Sequence, residues 1–175
     1  MRYLLIMLVS IAAFTGRKME VTSKAFINEG TIPVKYTCAG ENVSPPLTIR
    51  NIPFGTRTLA LIVEHPNTSK GDMTEWIAWN IIPDGVISED NLPGITGKNS
   101  GGMRSYTGAC PKDLQGLHHY KFRIYAIDKT LKLDKESDRA ALEAAMAGHI
   151  LETAELTAHF GSEAIPPVAA PRAGN

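Results

Sequence analysis

The sequence predicts a mostly β fold: an antiparallel β-sandwich with a large central sheet and a few peripheral helices. Three observations predict it. Short runs rich in branched and aromatic residues outnumber helical stretches and do not alternate with them, which argues against a doubly wound α/β sheet. Fifteen glycines and eleven prolines punctuate the chain, favouring many short elements. A chain of 175 residues, 43% hydrophobic and 21% charged, has the size and composition of one globular domain with a sizeable core. No apolar run reaches the roughly 20 residues of a helical membrane span, and no internal repeat appears. A coiled coil, a helical solenoid and a polytopic membrane protein are thereby excluded. Lys plus Arg (18) balances Asp plus Glu (18), whereas a nucleic-acid surface needs clustered positive charge.

Taken in order, the chain opens on an apolar run, Tyr3 to Phe14, behind a single Arg2. It has the pattern of a secretory signal, with Arg17 and Lys18 following at once. Two readings stand. A signal implies a periplasmic or secreted protein; a start at Met19 implies a cytoplasmic one. Residues 1–18 are therefore set apart from the domain, assigned to 19–164, and 165–175 form a Pro/Ala-rich tail. Short extended pieces are expected around Val21, Tyr36 and Thr48.

Thr58 to Glu64 (TLALIVE) and Trp76 to Ile82 (WIAWNII) are apolar on both faces, as in strands covered on both sides. Paired as a regular hairpin, they set Glu64 against Trp76 and His65 against Glu75, with Pro66 helping to end the first strand. Tyr120 to Ile127 alternates, with Tyr120, Phe122, Ile124 and Ala126 on one face, and Leu156 to Phe160 reads as a weaker strand. One helix is expected, capped by Ser137 or Asp138, running to Met146 with Gly148 near its end. Its apolar stripe of Ala141, Leu142, Ala145, Met146 and His149 packs on the sheet.

The common catalytic motifs are missing: no phosphate-binding Gly-rich loop, dinucleotide fingerprint, Gly-x-Ser-x-Gly elbow or His-Glu-x-x-His helix. Polar residues gather instead at the ends of the apolar strands. These are His65 and Glu75, the adjacent His118 and His119, and the glycine-rich loop Gly101 to Pro111, whose backbone amides can approach an anion. Adjacent strand residues point in opposite directions, so one of the two histidines at most faces a given pocket. Cys38 and Cys110 lie in loop sequence without zinc-finger spacing; they are either one bridge or two loop thiols.

Four blocks in order resemble the phosphatidylethanolamine-binding protein family, in its bacterial Raf-kinase-inhibitor-like branch. They are Ile32 to Leu47, the hairpin Leu61 to Pro83, Tyr106 to Pro111 through Gly116 to Tyr120, and Ala144 to Leu151. The resemblance implies an antiparallel sandwich and a small surface cavity binding phosphate-like anions or phospholipid head groups. Carried over, the cavity is built by His65, Glu75, Cys110, Pro111, His118 and Tyr120. It implies no catalysis and no cofactor. It also implies a homodimer, regulation of kinase or protease partners, and Cys38 and Cys110 near enough to bridge in an exported protein. This chain departs from the family pattern: His65 stands where the family has Asp, and Glu75 where it has His, so acid and imidazole have exchanged places. Asn67, Ser69 and Lys112 also depart. The alternative function is a metal-dependent hydrolase using His65, Glu75 and His118.

Overall fold

In a computed structural model that describes residues 16–68, 71–111 and 116–161, nine strands form two sheets. The smaller sheet has the order β1-β3-β6, from Glu20–Ser23, Leu47–Arg50 and Val86–Ile87. The larger has the order β2-β9-β8-β4-β5-β7. Its members are Gly30–Thr31 (β2), Thr58–Thr68 (β4), Gly71–Ile81 (β5), Ile95–Thr96 (β7), Leu117–Ile127 (β8) and Ile150–Gly161 (β9). All strand pairs are antiparallel except β2 with β9. The signal segment and the tail expected at the two ends fall almost wholly outside the described residues.

The doubly apolar strands occupy the middle of the large sheet, as their composition predicts. On β4, Leu59, Leu61 and Val63 enter a core shared with Val21, Leu47, Ile49 and Ile87 of the small sheet. The intervening Ala60 and Ile62 enter a second core on the opposite face, with Trp79, Leu142 and Met146. That face is covered by α1, Arg139–Met146, the one α-helix among the described residues. Asp138 caps it, its side chain accepting from the Ala141 N–H at 3.0 Å. Burying the apolar face of α1, rather than its intrinsic propensity, holds so short a helix.

The structure corrects several expectations. Instead of a few helices, the described residues hold α1 and a single 3-10 turn, Val34–Tyr36, in place of an extended piece at Tyr36. The last strand is not weak but twelve residues long. Ser137 is not the helix cap; its carbonyl accepts from the Lys98 N–H at 2.9 Å. His149 leaves the apolar stripe to pair with Asp128 at 2.9 Å. Pro66 does not end its strand: β4 continues to Thr68, while its pairing to β8 stops at Glu64, so the missing proline N–H breaks no ladder bond there.

Candidate functional site

The hairpin departs from the regular pairing in two steps: a shift between Leu59 and Leu61 moves it by one residue, and a second after Val63 moves it by another, the residue passed over there being Glu75. Val63 pairs with Trp76, but Glu64 pairs with Thr74, which leaves Glu75 as the extra residue of a β-bulge. A regular strand would send Glu75 to the helix face, opposite Trp76. The bulge turns it toward the same side as Trp76, where the Trp76 ring meets Tyr106 edge-on at 5.6 Å and the Glu75 charge acts on Tyr106 and Tyr120.

Strand alternation separates Glu64 from His65. Glu64 faces the helix side, where Arg123 and Arg139 hold its two oxygens at 2.8 and 2.6 Å. His65 faces the other side. Its Nε2 lies 3.1 Å from Nδ1 of His118, and its ring rests 4.5 Å from that of Tyr120. His118 and Tyr120 share a face of β8 because they are two residues apart. His119 points away and stacks edge-on with His159, its partner across the β8–β9 pair.

The third wall is the loop from Gly97 to Pro111. Asn99, which sequence reasoning missed, organises it: its side-chain oxygen accepts from the Gly101 and Met103 N–H groups, and its amide donates to Thr107 Oγ1 at 2.9 Å. The Thr107 N–H then donates to the Glu75 carbonyl at 3.1 Å, tying loop to bulge. Tyr106, also missed as a site residue, donates its hydroxyl to the Tyr36 carbonyl at 2.8 Å. Gly108 has to be glycine, since a Cβ there would stand 2.3 Å from the Tyr36 carbonyl oxygen. An Asn between predicted elements carries no signal for this role; Tyr106 did lie in a block that marked the family resemblance. Cys38 and Cys110 are bridged, with Cα atoms 5.3 Å apart, which fastens the loop end to the segment after the 3-10 turn. Pro111 follows, buried.

The electrostatics are dominated by burial. Glu75 is only 8% exposed, and burial pushes its carboxyl up to about 7. Burial, reinforced by the Glu75 charge, also holds Tyr106 and Tyr120 protonated far above neutrality. The Tyr120 hydroxyl lacks a well-formed hydrogen bond among the described residues; the Cys110 backbone is the group that eases its ionisation. No hydrogen bond or ion pair joins Glu75 to His65. The expected acid–imidazole pair is therefore replaced by an imidazole–imidazole contact above a buried acid. Among the described residues no three His, Cys, Asp or Glu side chains converge as metal ligands, so His65, Glu75 and His118 do not form the set the hydrolase reading requires.

Fold and site together define a two-sheet β domain with a polar cluster at one end of its central strands. Residues 22–161 match the family model described as phosphatidylethanolamine-binding protein. Similar proteins include a UPF0098 protein of Pyrococcus abyssi, 39% identical over 171 residues, covering 89% of this chain and 96% of the relative. Another, from Methanothermobacter thermautotrophicus, is 38% identical over 146 residues, covering 79% and 95%. A crystal structure from Chlamydia trachomatis, named as that of a phosphatidylethanolamine-binding protein homologue, matches with TM-score 0.78 and 34% identity, covering 83% of this chain and 98% of that one. Escherichia coli YbcL, at 24% identity, shares the fold with TM-score 0.76, covering 83% and 99%. The chain belongs to the phosphatidylethanolamine-binding protein family.

Proposed function

We propose that the cluster is a non-catalytic site for phosphate-like anions, free or carried on a phospholipid head group. The observation that carries this reading is the contact of His65 Nε2 with His118 Nδ1 at 3.1 Å. Two imidazoles at that distance share one proton, one nitrogen donating and the other accepting. A second proton makes both facing nitrogens donors, and an anion seated against them is then the acceptor that relieves their repulsion. Tyr120 adds a hydroxyl at the same wall, and Cys110 and Pro111 close it. Glu75 supplies a pH dependence. Ionised, it repels an anion; protonated below about 7, it does not. Binding therefore strengthens as pH falls from 8 to 6. The bridge between Cys38 and Cys110 suits an oxidising compartment, which favours the exported reading of the N-terminus.

Isothermal titration tests this with inorganic sulfate, whose charge is constant over the range, and with phosphoethanolamine. We expect affinity at pH 6 to exceed that at pH 8 by about tenfold, from the loss of one repulsive charge. His118→Ala should abolish binding without unfolding the domain. Equal affinity at both pH values, or undiminished binding by the variant, overturns the reading.

A further inference from the structure

The chain has two cysteines, and the bridge they form sits where the fold has little need of a staple. Two hydrophobic cores already hold the sheets and α1 together, and a domain of this size folds without cross-links. Neither cysteine belongs to a core. Both are exposed, Cys38 just after the buried Thr37 and Cys110 between the buried Ala109 and Pro111. A thiolate can reach such a bridge from solvent, and exposed bridges are the more easily reduced ones.

The loop that walls the anion cluster is fastened in two stretches, and the bridge belongs to one of them. Up to Gly108 the loop is held without it. The Thr107 N–H donates to the Glu75 carbonyl at 3.1 Å, the Tyr106 hydroxyl to the Tyr36 carbonyl at 2.8 Å, and the Gly108 N–H to Asn42 Oδ1 at 2.8 Å. Past Gly108 the hold is weaker. Thr37 and Ala109 form an isolated β-bridge in which the Cys38 N–H reaches the Ala109 carbonyl at 3.3 Å, a long hydrogen bond. The disulfide joins the next residue on each side. This last stretch is the part that meets the cluster: the Cys110 backbone lies at the Tyr120 hydroxyl, and the Tyr120 ring rests on that of His65 at 4.5 Å.

We propose, on the basis of the anion site inferred above, that the Cys38–Cys110 bridge is a redox gate on that site. Closed, it holds Ala109 to Pro111 against Tyr120 and favours the anion. Opened by a dithiol, it frees that stretch and weakens binding while the rest of the domain stays folded. One thiolate of the dithiol attacks a bridge sulfur, and its second thiolate resolves the mixed disulfide. Two electrons and two protons pass to the cysteines, and the dithiol leaves as a disulfide. The gate is reciprocal: an anion that prefers the closed form protects the bridge from reduction by the same factor.

The test uses the full chain, oxidised or reduced with dithiothreitol and then freed of it, titrated with sulfate at pH 6. Reduction should weaken sulfate binding about fivefold or more, a common size for coupling between sites, and reoxidation should restore it. Cys38→Ser should bind as the reduced protein does, with or without the dithiol. Amide exchange locates the effect. The Cys38 and Cys110 N–H groups should exchange faster after reduction, while those of Thr107 and Gly108 stay slow. Saturating sulfate should lower the potential of the bridge by about 20 mV, the same fivefold factor for a two-electron couple. Equal affinity in both redox states, or a bridge that excess reduced glutathione leaves oxidised, overturns the gate and leaves the anion site standing. Exchange that rises throughout the domain means unfolding, and overturns a local gate. An oxidised protein that binds no sulfate overturns the anion site itself, and the gate with it.

Discussion

Glu64 and Glu75 are two buried carboxylates on neighbouring strands of one sheet, and their surroundings are opposite. Glu64, on the helix face, meets two guanidiniums, and those arginines are tied in turn to Glu155 and Glu143. Glu75, on the other face, has tyrosines and indole around it and no cation, so burial alone pushes it up to about 7. A charge with matched partners closes a surface and holds it. A carboxyl left without them stays poised between protonation states at neutral pH and makes its neighbourhood responsive to a ligand's charge. One strand, β4, serves both regions through adjacent residues, Glu64 and His65.

The largest expected effect breaks the wall of the responsive side. Removing the Cys38–Cys110 bridge, which spans 72 residues, should cost roughly 4 kcal/mol from loop entropy in the unfolded chain. Urea unfolding of Cys38→Ser/Cys110→Ser against the oxidised protein reads it, and equal midpoints would show that the loop is held instead by Asn99 and by Asn42, whose side-chain oxygen accepts the Gly108 N–H at 2.8 Å. Next comes the closed side. Glu64→Ala leaves Arg123 and Arg139 partly buried without their shared partner, and should destabilise by about 3 kcal/mol, the low end for a broken buried pair because both arginines reach solvent.

Glu75 should behave in the reverse sense. Its folded value lies above its unfolded one, so the cost of ionising it is zero below pH 4.5, builds up to pH 7, and is constant above. Relative to wild type, Glu75→Gln should therefore gain roughly 3 kcal/mol between pH 4 and pH 8, read by chemical denaturation at both values. A difference that does not change with pH would show that Glu75 titrates in the folded protein as it does in the unfolded chain. The smallest effect sharpens the comparison within the cluster. In double-mutant cycles on sulfate binding, His65→Ala with His118→Ala should show a coupling of about 1 kcal/mol, and His65→Ala with Glu75→Gln much less. Coupling of equal size in both cycles would restore the direct acid–imidazole pair.

Much of this molecule was readable from its residues. The strands around Leu61 and Ile77 are apolar and β-branched or aromatic on both faces, and they could bury both only inside a sheet, while that around Phe122 alternates. The alternation that separates His118 from His119 follows from strand geometry alone. The resemblance blocks pointed to His65, His118, Tyr120 and Cys110, and the structure brings these together around one loop end.

What the sequence did not decide is register. Nothing in Thr74-Glu75-Trp76 marks a bulge, because the extra residue is fixed by what Trp76 and Ile77 must bury on the two faces and by the Thr107 N–H on the Glu75 carbonyl. Regular pairing, the natural local reading, sets His65 against Glu75; the slipped register sets it against Met73 and turns Glu75 toward the tyrosines, while the pairing of β4 with β8 brings His65 to His118. The same holds for Tyr36, where Thr37 and Ala109 bridge from distant segments and a 3-10 turn replaces an extended piece. Composition and periodicity settle which strands are buried, since burial is a property of each strand's own side chains. Which residues of two strands face each other depends on contacts from a third segment, and only the tertiary structure contains them.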